Sequence, residues 1–101
     1  MISKAECLDA LRGVVDPEIG LNIVDLGLVY RLDPKDDRVE VDFTLTTPGC
    51  PLADTIMQQI VDALQEAAGD DVSIVPQLVW NPPWSMEFLS EEARLSLGFP
   101  I

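Results

Sequence analysis

Between Val39 and Leu64 the hydrophobic period of the chain changes from two to four, and that switch limits the fold more than any other feature. Val39, Val41, Phe43 and Leu45 alternate with Glu40, Asp42, Thr44 and Thr46, the pattern of a strand with one covered face and one polar face. After Thr47-Pro48-Gly49-Cys50-Pro51, the residues Leu52, Ile56, Ile60 and Leu64 recur at helical spacing, with Ala53, Met57 and Ala67 widening the stripe. Pro51 suits the first helical position, where a missing N–H costs nothing, and Gly69 suits the position just past the end. Upstream, Leu28 to Leu32 reads as a strand, and Asp33-Pro34-Lys35-Asp36-Asp37 is a turn that makes a β-hairpin with the alternating run. Downstream, Val72 to Val75 reads as a third strand that Leu78 to Trp80 extends. Pro76 removes a ladder donor there, so this strand bends, bulges or lies at an edge.

The N-terminal element opens with Ser3-Lys4-Ala5-Glu6, a capping box in which the Ser and Glu side chains satisfy each other's free backbone donors. Ile2 and Cys7 stand where a hydrophobic staple pairs, and Leu8, Leu11 and Val15 continue an apolar helical face until Pro17 stops it. Cys7 is thus a small buried hydrophobe of that face. At the other end, Ser85 to Leu97 reads as one or two short helical turns with a cap at Ser90-Glu91-Glu92. The order is helix, strand, strand, helix, strand, short helix. A strand–helix–strand crossover sets strands two and three parallel and right-handed when adjacent. The expected fold is α+β, a two-layer sandwich with a small mixed three-stranded sheet, in one domain over residues 1–101.

Composition narrows the chemistry. Hydrophobic residues make up 48% and charged residues 24% of the 101, the balance of a folded globule. No apolar run nears the roughly 20 residues of a membrane helix, and no basic-then-apolar leader opens the chain, so a soluble, cytoplasmic protein is expected. Eighteen acidic against six basic residues leave a net charge of −12, which repels a phosphate backbone and disfavours nucleic acid as a partner. The same surplus suits either solubility or a basic partner protein. Histidine is absent, which removes imidazole bases, Ser–His and Cys–His pairs and His-ligated zinc. Two cysteines, Cys7 and Cys50, are too few for a disulfide framework or a four-thiolate site in one chain.

Three constellations remain. Cys50, just before Pro51, falls at a helix N-cap, where free N–H groups and the positive dipole end stabilise a thiolate. Pro48 and Gly49 shape the approach, and Thr44, Thr46 and Thr47 offer hydroxyls nearby. Ser, Thr, Asp or Asn would cap better, so a cysteine in this place favours chemistry over capping. Asp16, Glu18 and Asp25 form the second group. They are either solvated charges around a helix stop and a turn, or carboxylates held among Ile19, Leu21, Ile23 and Leu26 that help complete an iron site. Carboxylates near a thiolate also oppose its formation, so geometry must decide. Trp80 and Trp84, flanking Asn81-Pro82-Pro83, are either a partner-binding hot spot or the closure of a small core.

The motifs Asp16-Pro17-Glu18, Val24-Asp25-Leu26-Gly27-Leu28-Val29-Tyr30, Thr46-Thr47-Pro48-Gly49-Cys50-Pro51, Pro82-Pro83-Trp84-Ser85 and Ser90-Glu91-Glu92-Ala93-Arg94 follow one another in this order. In that order they resemble the SufT/PaaD-like iron–sulfur cluster assembly domain family over nearly the whole chain. The resemblance implies an α+β domain distantly KH-like in topology, acting as a non-catalytic auxiliary factor in iron–sulfur protein maturation. It places the family's characteristic cysteine on Cys50 and its acidic motif on Asp16 and Glu18. It also implies partners among iron–sulfur assembly proteins and client apoproteins, and a transient iron–sulfur cluster or iron as cargo. PaaD-type members carry further cysteines in a C-terminal extension; nothing after Cys50 is a cysteine here, which points to the compact SufT-like branch.

The leading function is cluster or iron transfer through Cys50, supported by Asp16 and Glu18, with Asp25, Thr47, Gly49 and Pro51 as the surrounding loops. One functional thiol per chain then calls for a homodimer or a partner's ligands to hold a cluster. The alternative is a metal-free adaptor that binds clients or the sulfur-mobilisation machinery through Trp80 and Trp84. RNA binding in the KH manner needs a GXXG loop, which the chain lacks. A thiol enzyme would lack any His base.

Overall fold

A computed structural model describes residues 2–17, 19–46 and 53–97. The elements are α1 (Lys4–Leu11), β1 (Val29–Pro34), β2 (Arg38–Phe43), α2 (Ala53–Ala68), β3 (Ser73–Leu78), a 3-10 turn (Met86–Phe88) and α3 (Glu91–Leu97). The sheet order is β1-β2-β3, with β1 antiparallel and β3 parallel to β2. This is the expected α+β fold with a small mixed sheet.

The capping box of α1 forms as read: Glu6 N donates to Ser3 Oγ (3.1 Å) and Ser3 N to Glu6 Oε1 (3.3 Å). Cys7 is fully buried, and burial, then the Glu6 carboxylate, pushes its thiol pKa up. The helix, however, stops at Leu11 rather than running to Asp16-Pro17. Gly13 is a poor helix former, and the chain tightens there, with Gly13 N bonded to Ala10 O (3.1 Å) and Val14 N to Leu11 O (3.0 Å). The tighter turn shifts the phase, so Val14 points inward and Val15, expected on the apolar face, is 42% exposed and bridges to Asn22.

Val39, Val41, Phe43 and Leu45 form the inner face of the hairpin, and Leu32 sits opposite Val41. Ile56, Ile60 and Leu64 of α2 pack onto this face, each worth about 1.5–3 kcal/mol of apolar burial. Ala67 is exposed instead of widening the stripe, whereas Ala63 and Ala68 are partly buried against the core. Gly69 follows α2 as expected, its N–H bonded to Gln65 O (2.9 Å). Pro76 lies opposite Val41 on β3, an edge strand, where a missing donor is tolerated. Both long helices pack against one face of the sheet and against each other, and the other face, with Arg31, Glu40 and Asp42, stays open to solvent. Thr44, in the same alternation as Glu40 and Asp42, is the exception in exposure, being wholly buried just past the end of β2.

Candidate functional site

The loop from Asp16 to Gly27 is a compact, hydrogen-bonded cradle at the end of α1. Asp16 N donates to Leu21 O (2.9 Å) and Gly20 N to Asp16 O (2.7 Å), while the Asp16 carboxylate accepts from Ile19 N (3.3 Å). Ile23 and Leu26 anchor the loop in the core, and Asp16 is only 5% exposed. Its carboxylate is therefore not a simple solvated charge of a helix stop.

Asp25 is held by a reciprocal pair. Its N–H donates to Asn22 Oδ1 (2.9 Å) and its Oδ2 accepts from Asn22 Nδ2 (2.8 Å). Its carbonyl accepts from Ser90 N (2.8 Å), so the start of α3 is pinned to the same loop. Ser90 caps α3 as read, accepting from Ala93 N (3.1 Å). Thr44 N donates to Leu28 O (2.8 Å), so the chain leaving β2 toward residues 47–52 starts beside the exit of the acidic loop. Cys50, Glu18, Thr47, Gly49 and Pro51 lie outside the described residues. Among the described residues no three His, Cys, Asp or Glu side chains cluster at metal-ligating range.

The C-terminal segment crosses the end of the sheet and clamps this loop. Trp84 Nε1 donates to Leu26 O (2.6 Å), and Tyr30 OH donates to Pro82 O (2.8 Å). Phe88 meets Tyr30 edge-to-face at 5.8 Å and lies directly over Gly27. Burial raises the Tyr30 pKa, with the Thr44 hydroxyl pulling the other way. The two tryptophans thus part company. Trp84 is half-buried against the core with its indole N–H engaged, the core-closing role, whereas Trp80 is 45% exposed. Beside it opens a groove of about 570 Å³ lined by Tyr30, Arg31, Asp42, Val79, Asn81 and Phe88, among others. Sequence reading missed Tyr30 and Phe88 as members of one clamp, because residues nearly sixty positions apart leave no periodic signal. Gly27 was the available hint, as a glycine entering a strand marks a close backbone approach.

Residues 4–75 match the family described as iron–sulfur cluster assembly protein, a span that runs from α1 into β3 and includes the whole acidic loop. The chain belongs to that family. The likeness extends beyond the matched span. The iron–sulfur protein maturation auxiliary factor YitW of Bacillus subtilis is 42% identical over 94% of this chain and 93% of its own length. SufT of Staphylococcus aureus, bearing the same description, is 42% identical over 84% of this chain and 97% of its own. A domain of unknown function from Bacillus anthracis has the same fold, with a TM-score of 0.88 at 35% identity over 96% of this chain and 92% of that one. A Mycobacterium tuberculosis protein associated with iron–sulfur complex assembly and repair is 42% identical with a TM-score of 0.55, over 96% of this chain and 87% of that one.

Proposed function

We propose that this protein is an auxiliary factor in the maturation of iron–sulfur proteins, non-catalytic and cytoplasmic, with iron or a cluster as its transient cargo. The observation that carries the reading is end-to-end likeness to a maturation factor, 94% of this chain against 93% of the relative, so that a whole protein and not a shared segment is matched. Among the described residues no helix is long and apolar enough to cross a membrane. Cys50 is the cargo-contacting thiol in this proposal. Asp16 and Glu18 support it, and the loops bearing Asp25, Thr47, Gly49 and Pro51 surround it. A single thiol gives one ligand, so cargo would be held across a homodimer or shared with an assembly protein or client apoprotein.

The test is anaerobic reconstitution with iron and sulfide, wild type beside Cys50→Ser, read by visible absorption and native mass. A chromophore that disappears in Cys50→Ser, together with loss of client maturation in cells carrying that variant, is the expected result. Full client maturation by Cys50→Ser would remove the thiol from the mechanism.

The exposed Trp80, whose chain neighbours Val79 and Asn81 line the groove, favours one second reading, a metal-free adaptor that grips clients at this edge. In that case Trp80→Ala abolishes client maturation while Cys50→Ser does not. Trp84→Ala is a poor probe, since it also removes the bond to Leu26.

A further inference from the structure

The helical layer carries a second groove of about 590 Å³, between the end of α1 and the C-terminal half of α2. Small residues, Ala10 and Gly13 from the α1 side and Ala63 and Ala67 from α2, line it together with Val14 and Gln59. A Cβ added at Gly13 would stand 3.3 Å from the backbone oxygen of Ala10, a tight contact, so the absence of a side chain there keeps the groove wall down to bare backbone. Small side chains on neighbouring helical turns allow the ridge of another helix to come close. Asp62 and Glu66 line the same groove one turn apart, both exposed.

Charge says what kind of helix fits. No Lys or Arg occurs between Arg38 and Arg94, a stretch that holds all of α2. The last turn of α2 has no basic residue, and Glu66 there is followed by Asp70 and Asp71, all at the negative end of the helix dipole. Among the described residues none of Asp62, Glu66, Asp70 and Asp71 is in an ion pair, whereas the cations of the open sheet face are all engaged with carboxylates. This end of α2 is thus electrostatically unfavourable in the isolated chain, and a cationic partner relieves it. A second copy, itself at −12, brings the wrong sign.

We propose that this groove docks a basic amphipathic helix of a partner protein, its small and aliphatic side chains on Ala10, Gly13, Ala63 and Ala67 and its Lys or Arg side chains on Asp62 and Glu66. The site is separate from the iron–sulfur reading and does not involve Cys50.

The test titrates the metal-free, 101-residue chain with a fluorescein-labelled synthetic helix of about 18 residues, long enough to be partly helical in water, with Leu and Ala on one face and Lys on the other. Saturable anisotropy is expected, with amide shifts confined to residues 10–14 and 59–67. A scrambled peptide of the same composition, the Asp62→Lys/Glu66→Lys variant, and Ala67→Trp, which fills the groove from an exposed position at unchanged charge, should each bind at least ~10-fold more weakly. Circular dichroism confirms that the variants fold. Equal binding of the scrambled peptide, full binding by Ala67→Trp, or shifts centred on the Trp80 groove would overturn the proposal. So would a dimer that Ala67→Trp dissociates, which assigns the groove to a second copy. Cys50→Ser should leave peptide affinity unchanged, so failure of the maturation reading and failure of this one are told apart.

Discussion

A methyl group at Gly27 would stand 2.3 Å from the carbonyl oxygen of Phe88 and 2.6 Å from its Cβ, at a backbone φ of +75° that L-residues avoid. Both penalties act in the same place, where the acidic loop touches the C-terminal clamp. Gly27→Ala should therefore destabilise by roughly 2–5 kcal/mol, the sum of left-handed strain and overpacking. Urea unfolding would measure it, and proteolysis should open residues 80–97 first. Gly20→Ala is the matched control: φ is +82° but no atom lies within 4 Å, so only the strain of about 1–2 kcal/mol remains. Equal losses at the two glycines would show that the Phe88 contact contributes nothing. At this scale Asp16 also changes meaning. The sequence left it either a solvated charge or a held carboxylate, and its 5% exposure, set by the folding of Ile19 to Leu26 around it, selects the second.

Among the elements, the open face of the hairpin is a ladder of charges. Arg31 reaches Asp33, Glu40 and Asp42, and Arg38 and Lys35 also meet Glu40. Hydrogen bonds from Arg38 first, then Arg31, lower the Glu40 pKa to about 2. An unfolded glutamate titrates near ~4.3, so the folded carboxylate has the depressed value. Its stabilisation is complete above the unfolded pKa and is lost as pH falls toward about 2. Glu40→Gln should flatten the dependence of stability on pH in that window and leave it unchanged above pH ~5. An unaltered slope would mean that this solvent-facing ladder contributes nothing, as many surface pairs do. The elements themselves were legible where one local signal sufficed: the Ser3–Glu6 box, the Val39–Leu45 alternation, the Ile56–Ile60–Leu64 stripe and the Pro76 edge. The end of α1 was not, because Gly13 shifts the helical phase by one residue and exchanges Val14 for Val15.

For the whole molecule the dominant electrostatic fact is the net charge of −12 on 101 residues. Self-repulsion at that charge disfavours the compact state. Screening it, by raising salt from 0.01 to 1 M and so shortening the Debye length from ~30 to ~3 Å, should raise the melting temperature. A gain of about 1 kcal/mol corresponds to roughly 4–8 °C in a domain of this size. A melting temperature that falls with salt would instead show the sheet ladder outweighing the repulsion. Sequence alone determined the helix and strand order, the mixed sheet, the acidic character and the family resemblance, because periodicity, caps and motif order are local or additive. Only the tertiary structure decided that Trp84 closes the core while Trp80 is exposed, that Thr44 is buried, and that Phe88 rests on Gly27. Those outcomes depend on where the segment after β3 crosses the end of the sheet. That crossing is set by contacts between residues 52 and 58 positions apart, a separation at which the order of residues carries no periodic trace.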